Sequence, residues 1–75
     1  MKLVLKWKEE IKLFASELHY QMLVGFISAG FGLKEEGIEI TYVDQDGDNI
    51  TVASQDDLLL LGEYFAGKEY VKLSV

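Results

Sequence analysis

The sequence predicts an α+β domain in which one mixed β-sheet carries two helices on a single face. Its elements run strand, strand, helix, strand, strand, helix, strand, or ββαββαβ. Three observations predict it. Residues 2–8, 38–42 and the last seven residues alternate polar and apolar side chains, the period of two that a half-buried strand needs. Two other stretches place apolar residues at near-helical spacing. Glycine, serine and aspartate punctuate the junctions between these stretches. A single layer of helices on a single sheet is the economical way for 75 residues to bury such stripes.

Each element follows from its own residues. In KLVLKWK, Leu3, Leu5 and Trp7 fall on one side, and Lys2, Val4, Lys6 and Lys8 on the other. Glu9 and Glu10 are the expected turn, and IKLFA resumes extended structure to complete a hairpin. Around Ser16 the pattern changes. Tyr20, Leu23, Ile27 and Phe31 then mark a helix that Gly32 can close in the left-handed conformation. GIEITYV alternates again, with Ile38, Ile40 and Tyr42 in phase; DQDGDN is a turn, and ITVAS is a short strand. Ser54 before Gln55, Asp56 and Asp57 reads as an N-cap followed by acidic residues that oppose the helix dipole. DLLLLGEYFA forms that second helix, Gly67 ends it, and EYVKLSV is the last strand. This order is that of the ubiquitin-like β-grasp fold.

Composition narrows the function. The chain reads as one domain over residues 1–75, cut from a longer protein because it begins and ends inside patterned sequence. There is no cysteine, hence no disulfide framework and no sulfur-based zinc site, which fits a reducing, cytoplasmic setting. No stretch reaches the roughly 18 unbroken apolar residues of a membrane span, and the N-terminus is too regularly charged for a signal sequence. The net charge is −6 and no arginine is present, which disfavours nucleic acid, whose phosphates are bound by clustered lysine and arginine. Charge is also segregated. No lysine occurs between Glu35 and Gly67, where nine acidic residues fall, while Lys2, Lys6, Lys8 and Lys12 crowd the first twelve positions. Such an acidic face attracts a basic partner.

Asp44, Asp46 and Asp48 of DQDGDN admit three chemistries. An EF-hand loop counted from Asp44 needs glycine at its sixth position and a bidentate glutamate at its twelfth, but Asn49 and Gln55 stand there. No metal or other cofactor is therefore expected. Acid–base catalysis needs a buried pair beside a pocket, whereas these carboxylates lie in a turn open to water, far in sequence from the only histidine, His19. His19, at the start of the first helix, reads as a surface or capping residue, and no enzymatic activity is expected. Protein binding remains: a turn between two strands holds its aspartates on rigid elements, and Asp56 and Asp57 return to the same end of the domain. The competing reading is an ordinary solvated turn, where acidic residues are common.

The stretch YVDQDGDNITVASQDDL, residues 42–58, resembles the acidic OPCA motif of PB-one domains, the Phox/Bem-one module. Tyr42, Asp44, Asp46, Gly47, Asp48, Ile50, Val52, Ser54, Asp57 and Leu58 fit the motif in register. WKEEIKLF is similar to the family's first hairpin, FGL to the end of its first helix and YVKLSV to its last strand, so the likeness spans essentially the whole chain. The resemblance implies an interaction module whose acidic face docks front to back on the basic face of another PB-one domain. It implies contacts from Asp44, Asp46, Asp48 and Asp57, with Asp56 at the rim, Tyr42 packing in the core and Gly47 permitting the turn. The basic face departs from the family: Val4 stands where basic members carry a lysine, and the basic pair of the second strand is Lys12 and Leu13. An acidic-only member is the expectation, with a weak basic face of Lys2, Lys6 and Lys12 as the alternative that would allow head-to-tail self-association.

A second surface is also implied. No charged residue occurs between Glu17 and Lys34, so Met22, Val24 or Phe26 must lie partly outward, and of the four leucines at 58–61, Leu59 and Leu60 are the outward pair. Scattered apolar surface is normal. The sharper reading is a homo-oligomer or an intramolecular contact through these helix faces.

Overall fold

The computed structural model describes residues 1–15 and 17–75; the change of pattern placed at Ser16 lies outside the described residues. The strands are β1 (Lys2–Trp7), β2 (Glu10–Phe14), β3 (Ile40–Val43), β4 (Asn49–Val52) and β5 (Tyr70–Ser74). The helices are α1 (Tyr20–Phe31) and α2 (Gln55–Tyr64), with a 3-10 turn over Glu35–Gly37. The strands form one sheet in the order β2-β1-β5-β3-β4. β1 and β5, the first and last strands, pair in parallel, and the other neighbours pair antiparallel. This is the ββαββαβ β-grasp that the residue periods predict. No helix among the described residues is long and apolar enough to cross a membrane.

Local chemistry explains where the elements start and stop. The first hairpin turns at Lys8 and Glu9, one residue earlier than expected, because Glu10 already pairs with Trp7. Lys8 takes φ 54°, a left-handed conformation that costs roughly 1–2 kcal/mol for a residue with a side chain. Its ammonium sits 4.7 Å from the centre of the Trp7 ring, and an exposed cation–π contact returns about 0.5–1 kcal/mol of that. His19 caps α1, its Nδ1 accepting the Met22 N–H at 3.4 Å. Gly32 closes the helix at φ 69°. The 3-10 turn consumes the start of the expected third strand, so β3 begins at Ile40. Ser54 caps α2, which stops at Tyr64; Gly67, at φ 90°, lies in the turn beyond it and does not end the helix itself.

One side chain ties the helices together. Gln55, the first residue of α2, accepts the Tyr20 N–H through Oε1 at 2.6 Å and donates through Nε2 to the Leu18 carbonyl at 2.8 Å. Two backbone groups at the start of α1, which no turn of helix can satisfy, are thus closed by the neighbouring helix.

The core lies between the sheet and the two helices. Leu3, Leu5, Ile40, Val52 and Leu73 meet Leu23, Ile27, Leu58 and Leu61, all essentially inaccessible to water. The run of four leucines divides as a 3.6-residue period requires: Leu58 and Leu61 are buried, Leu59 and Leu60 exposed. On α1 the expectation for Val24 is corrected. It is 6% exposed, because the helix contacts both the sheet and α2, and that widens its buried arc to include Leu23 and Val24 together. Phe26 is half-buried, edge-on to Phe14 at 5.1 Å, and only Met22 of the three lies open.

Leu61→Ala removes a fully buried side chain and is expected to cost about 2–5 kcal/mol, while Leu60→Ala changes stability by less than about 0.5 kcal/mol. Urea denaturation of both variants checks the division; equal losses would contradict it.

Candidate protein-interaction site

The β3–β4 hairpin ends with Val43 opposite Asn49 and is closed by backbone bonds from Asp44 N–H to the Asp48 carbonyl and from Gly47 N–H to the Asp44 carbonyl. Asp44 then serves its own turn: its Oδ1 accepts the N–H groups of Asp46 and Asp48, each at 2.9 Å. Gly47 adopts φ 83°, which a residue with a side chain resists. The result is compact. One carboxylate oxygen from each of Asp44, Asp46 and Asp48 lies within 4.8 Å of the others, with Asp46 and Asp48 exposed and Asp44 half-buried.

The helix start contributes from beside the turn. Asp57 accepts the Ala53 N–H at 2.9 Å while its own N–H donates to Ser54 Oγ at 3.2 Å, a reciprocal cap built with aspartate. Tyr64, at the other end of α2, accepts the Gln45 N–H through its hydroxyl at 3.2 Å. Tyr42, Tyr64 and Phe65 form an aromatic cluster next to the turn, with ring centres 4.7 to 6.4 Å apart. The Tyr42 phenol is raised above its ordinary 10.0, first by burial, then by the charge of Tyr64, Asp44 and Asp57. Asp44 and Asp57 both act on that one side chain. Asp56 is exposed beside them.

As a metal site the cluster is incomplete. Three carboxylates are close enough to share an ion. One oxygen of Asp44 is already occupied by two amide N–H groups, however, and Gln55, at the position of the EF-hand's bidentate ligand, is committed to α1.

The lysines sort differently from expectation. Lys2, Val4 and Lys6 do share the outer face of β1. Lys12 does not join them: it is in phase with buried Phe14, lies on the helix side of β2 with its ammonium 5.8 Å from the Phe31 ring, and lies against Gly30. In its place the fold supplies Lys72, which pairs with Val4 across the parallel β1–β5 ladder. Val4 thus has Lys2 and Lys6 along its own strand, Lys72 on one side and Leu13 on the other. Alternation in EYVKLSV marks Lys72 as outward, since Val71 and Leu73 are buried; only the pairing of the chain's two ends shows what it lies beside.

Two predictions follow from the hydrogen bonds and the raised phenol. Asp44→Ala strips the acceptor from two turn N–H groups and should cost about 1–3 kcal/mol, whereas Asp46→Ala and Asp48→Ala should stay within about 0.5 kcal/mol of the parent in thermal unfolding. The folded state holds the Tyr42 proton above 10.0, the value at which the unfolded chain releases it. Tyr42 therefore leaves stability unchanged below that pH and reduces it as pH rises beyond. Between about pH 9 and about pH 11, Tyr42→Phe should lose less stability than the parent in denaturant titrations.

No curated protein matches the sequence. Among solved structures the chain is similar to the AtNBR1-PB1 domain, with a TM-score of 0.79 at 16% identity over 99% of this chain and 92% of that one. It is also similar to a chain of the AtNBR1-PB1 filament (L-type) determined by cryo-electron microscopy, with a TM-score of 0.78 at 20% identity over 100% of this chain and 93% of that one. At these identities the likeness shows the shared fold. The family model of the PB1 domain matches residues 2–75. With its β-grasp order and motif-bearing turn, the chain belongs to the PB1 domain family of protein–protein interaction modules, the PB-one module its acidic turn resembles.

Proposed function

We propose that this PB1 domain binds through its acidic front. Asp46 and Asp48 supply free carboxylates, Asp44 and Asp57 supply their unbonded oxygens, and Asp56 lies at the rim. The partner is the lysine- or arginine-bearing face of another PB1 domain, docked front to back in a heterodimer that serves scaffolding or signalling in the cytoplasm. The observation that carries this reading is the packing of three carboxylates within 4.8 Å on a turn closed by its own backbone. Each exposed ion pair contributes only about 0–1 kcal/mol, so affinity must come from several acting together on one rigid element. A preset turn spares the ordering that a mobile acidic tail would require. Charge complementarity of this kind speeds encounter and fixes register.

A second reading is favoured by a specific feature: Lys2, Lys6 and Lys72 surround Val4 on the outer sheet face. These lysines give the domain a basic back of its own, and head-to-tail self-association follows from carrying both. The similar AtNBR1-PB1 filament supports that reading by analogy.

Asp46→Ala combined with Asp48→Ala tests the acidic front without touching the hydrogen bonds of the turn. Calorimetric titration with a lysine-faced PB1 domain should show at least about a tenfold loss of affinity, equivalent to about 1.4 kcal/mol, with thermal stability unchanged. The parent's affinity should fall as salt shortens the screening length from about 10 Å at 0.1 M to about 3 Å at 1 M. Equal affinity for parent and double variant would remove the assignment.

A further inference from the structure

β2 is an edge of the sheet; among the described residues it pairs on one side only, with β1. The direction of its free backbone groups follows from that neighbour. Lys2 donates its N–H to the Glu69 carbonyl at 3.2 Å, and the Lys6 carbonyl accepts the Val75 N–H at 2.9 Å, so these residues of β1 turn toward the β5 side. Leu3, Leu5 and Trp7 alternate with them and turn toward β2, where they bond Phe14, Lys12 and Glu10. The N–H and C=O groups of Ile11 and Leu13 are left pointing outward from the sheet edge. The side chains of the same two residues lie on the outer face, 61% and 66% exposed. Charge is the usual guard of such an edge. Here it is Lys12, which lies on the helix side, and Glu10 lies on that side as well.

The edge is also electrically distinct. Residues 8–14 hold Lys8, Glu9, Glu10 and Lys12, a balanced set in a chain of net charge −6. This edge belongs neither to the acidic turn nor to the face of Lys2, Lys6 and Lys72. It lies at the opposite side of the sheet from the β3–β4 hairpin, so two copies joined here hold their acidic turns well apart.

We propose that β2 pairs antiparallel with β2 of a second copy, joining two sheets into one about a twofold axis at Ile11. Symmetric pairing that keeps outer face beside outer face can centre on Ile11, Lys12 or Leu13. Centred on Lys12, it sets that lysine against its own copy. Centred on Leu13, it sets Lys12 against Phe14. Centred on Ile11, it sets each Lys12 opposite Glu10 of the other copy, and opposite charges support a ladder where like charges weaken it. The two Ile11 residues then exchange both backbone bonds, and Leu13 of each copy lies diagonal to Ile11 of the other. The β4 edge is a poorer occupant, because Ile50 and Val52 on its helix side offer Lys12 no carboxylate. The pair presents two acidic turns, so a partner assembly with repeated lysine-bearing faces is held at both. That consequence rests on the acidic-front reading above; the pairing itself does not.

Sedimentation equilibrium tests it, with Asp46→Ala and Asp48→Ala present throughout to suppress front-to-back association. This doubly substituted protein should approach twice 8.5 kDa as concentration rises and stop there. Glu10→Lys or Lys12→Glu, added singly, sets like charges opposite each other and should weaken the dimer at least about tenfold. An equal mixture of the two should recover it, because two lysines of one variant then face two glutamates of the other. Circular dichroism verifies that each variant folds. Ile11→Lys, on a side chain already exposed, should dissociate the dimer without touching the contact of Lys12 with Phe31. Amide exchange at Ile11 should slow as the dimer forms. A doubly substituted protein that stays monomeric overturns the proposal, as do single variants that dimerise undiminished or a mixture no heavier than its components. Growth past the dimer overturns it as well, since β2 would then be receiving β4 or another edge. Titration with the lysine-faced PB1 domain decides the acidic front separately, so either reading can fail while the other stands.

Discussion

The Asp44 carboxylate, accepting the amide N–H groups of Asp46 and Asp48, is the constraint on which the acidic front depends. Three carboxylates with one oxygen each within 4.8 Å of the others repel one another by about 1 kcal/mol per pair in water, and by more where the dielectric is lower. Hydrogen bonds to a charged acceptor contribute about 1.5–3 kcal/mol each, so two of them at Asp44 are enough to hold the turn against that repulsion. The same bonds orient the backbone so that Asp46 and Asp48 keep their carboxylates free. One aspartate is thus spent largely on shape, which leaves its neighbours available for a partner. Asp57 repeats the pattern at the start of α2, with one oxygen in the cap and the other unassigned.

This double use matters in a chain of 75 residues. A domain of that size has a small core and, lacking cysteine, no disulfide to support a loop, so each loop needs an anchor of its own. The turn is anchored at its base by the Tyr42, Tyr64 and Phe65 cluster, and its crest is tied to α2 by the bond from Gln45 to Tyr64. α2 is tied in turn to α1 through Gln55. A disturbance at Gln55 would accordingly reach the acidic front through the helix and not through the turn. Residues with no charge of their own position the charges.

What could be read from the sequence was whatever depended on local period. Alternation located the strands, the spacing of Leu58 and Leu61 separated them from Leu59 and Leu60, and Gly32 and Ser54 marked helix ends because their conformations are local properties. Lys12 was legible too, since IKLFA puts it in phase with Phe14; reading it as the family's basic pair hid that. Val24 was not legible, because the width of a buried arc depends on how many neighbours a helix meets, and α1 meets both a sheet and α2. Lys72 was the least accessible. Its outward direction follows from its neighbours, but its place beside Val4 comes from a parallel pairing that joins the two ends of the chain. The hairpin turn moved by one residue because Glu10 already pairs with Trp7, which leaves Lys8 to take the left-handed turn position, a register that local alternation does not specify.

The distribution of charge on this fold also limits which assemblies it tolerates. Carboxylates gather at the β3–β4 turn and along α2, and lysines on the outer face of β1 and β5. With a net charge of −6, two copies approaching at random repel. Contact of like face with like face adds local repulsion and leaves either the lysines or the carboxylates desolvated without partners, which costs more than the repulsion itself. Only a basic surface set against the acidic front escapes both penalties, whether that surface belongs to another protein or to another copy. Segregated charge therefore weighs against symmetric contact of either charged face, whatever surface meets the acidic turn.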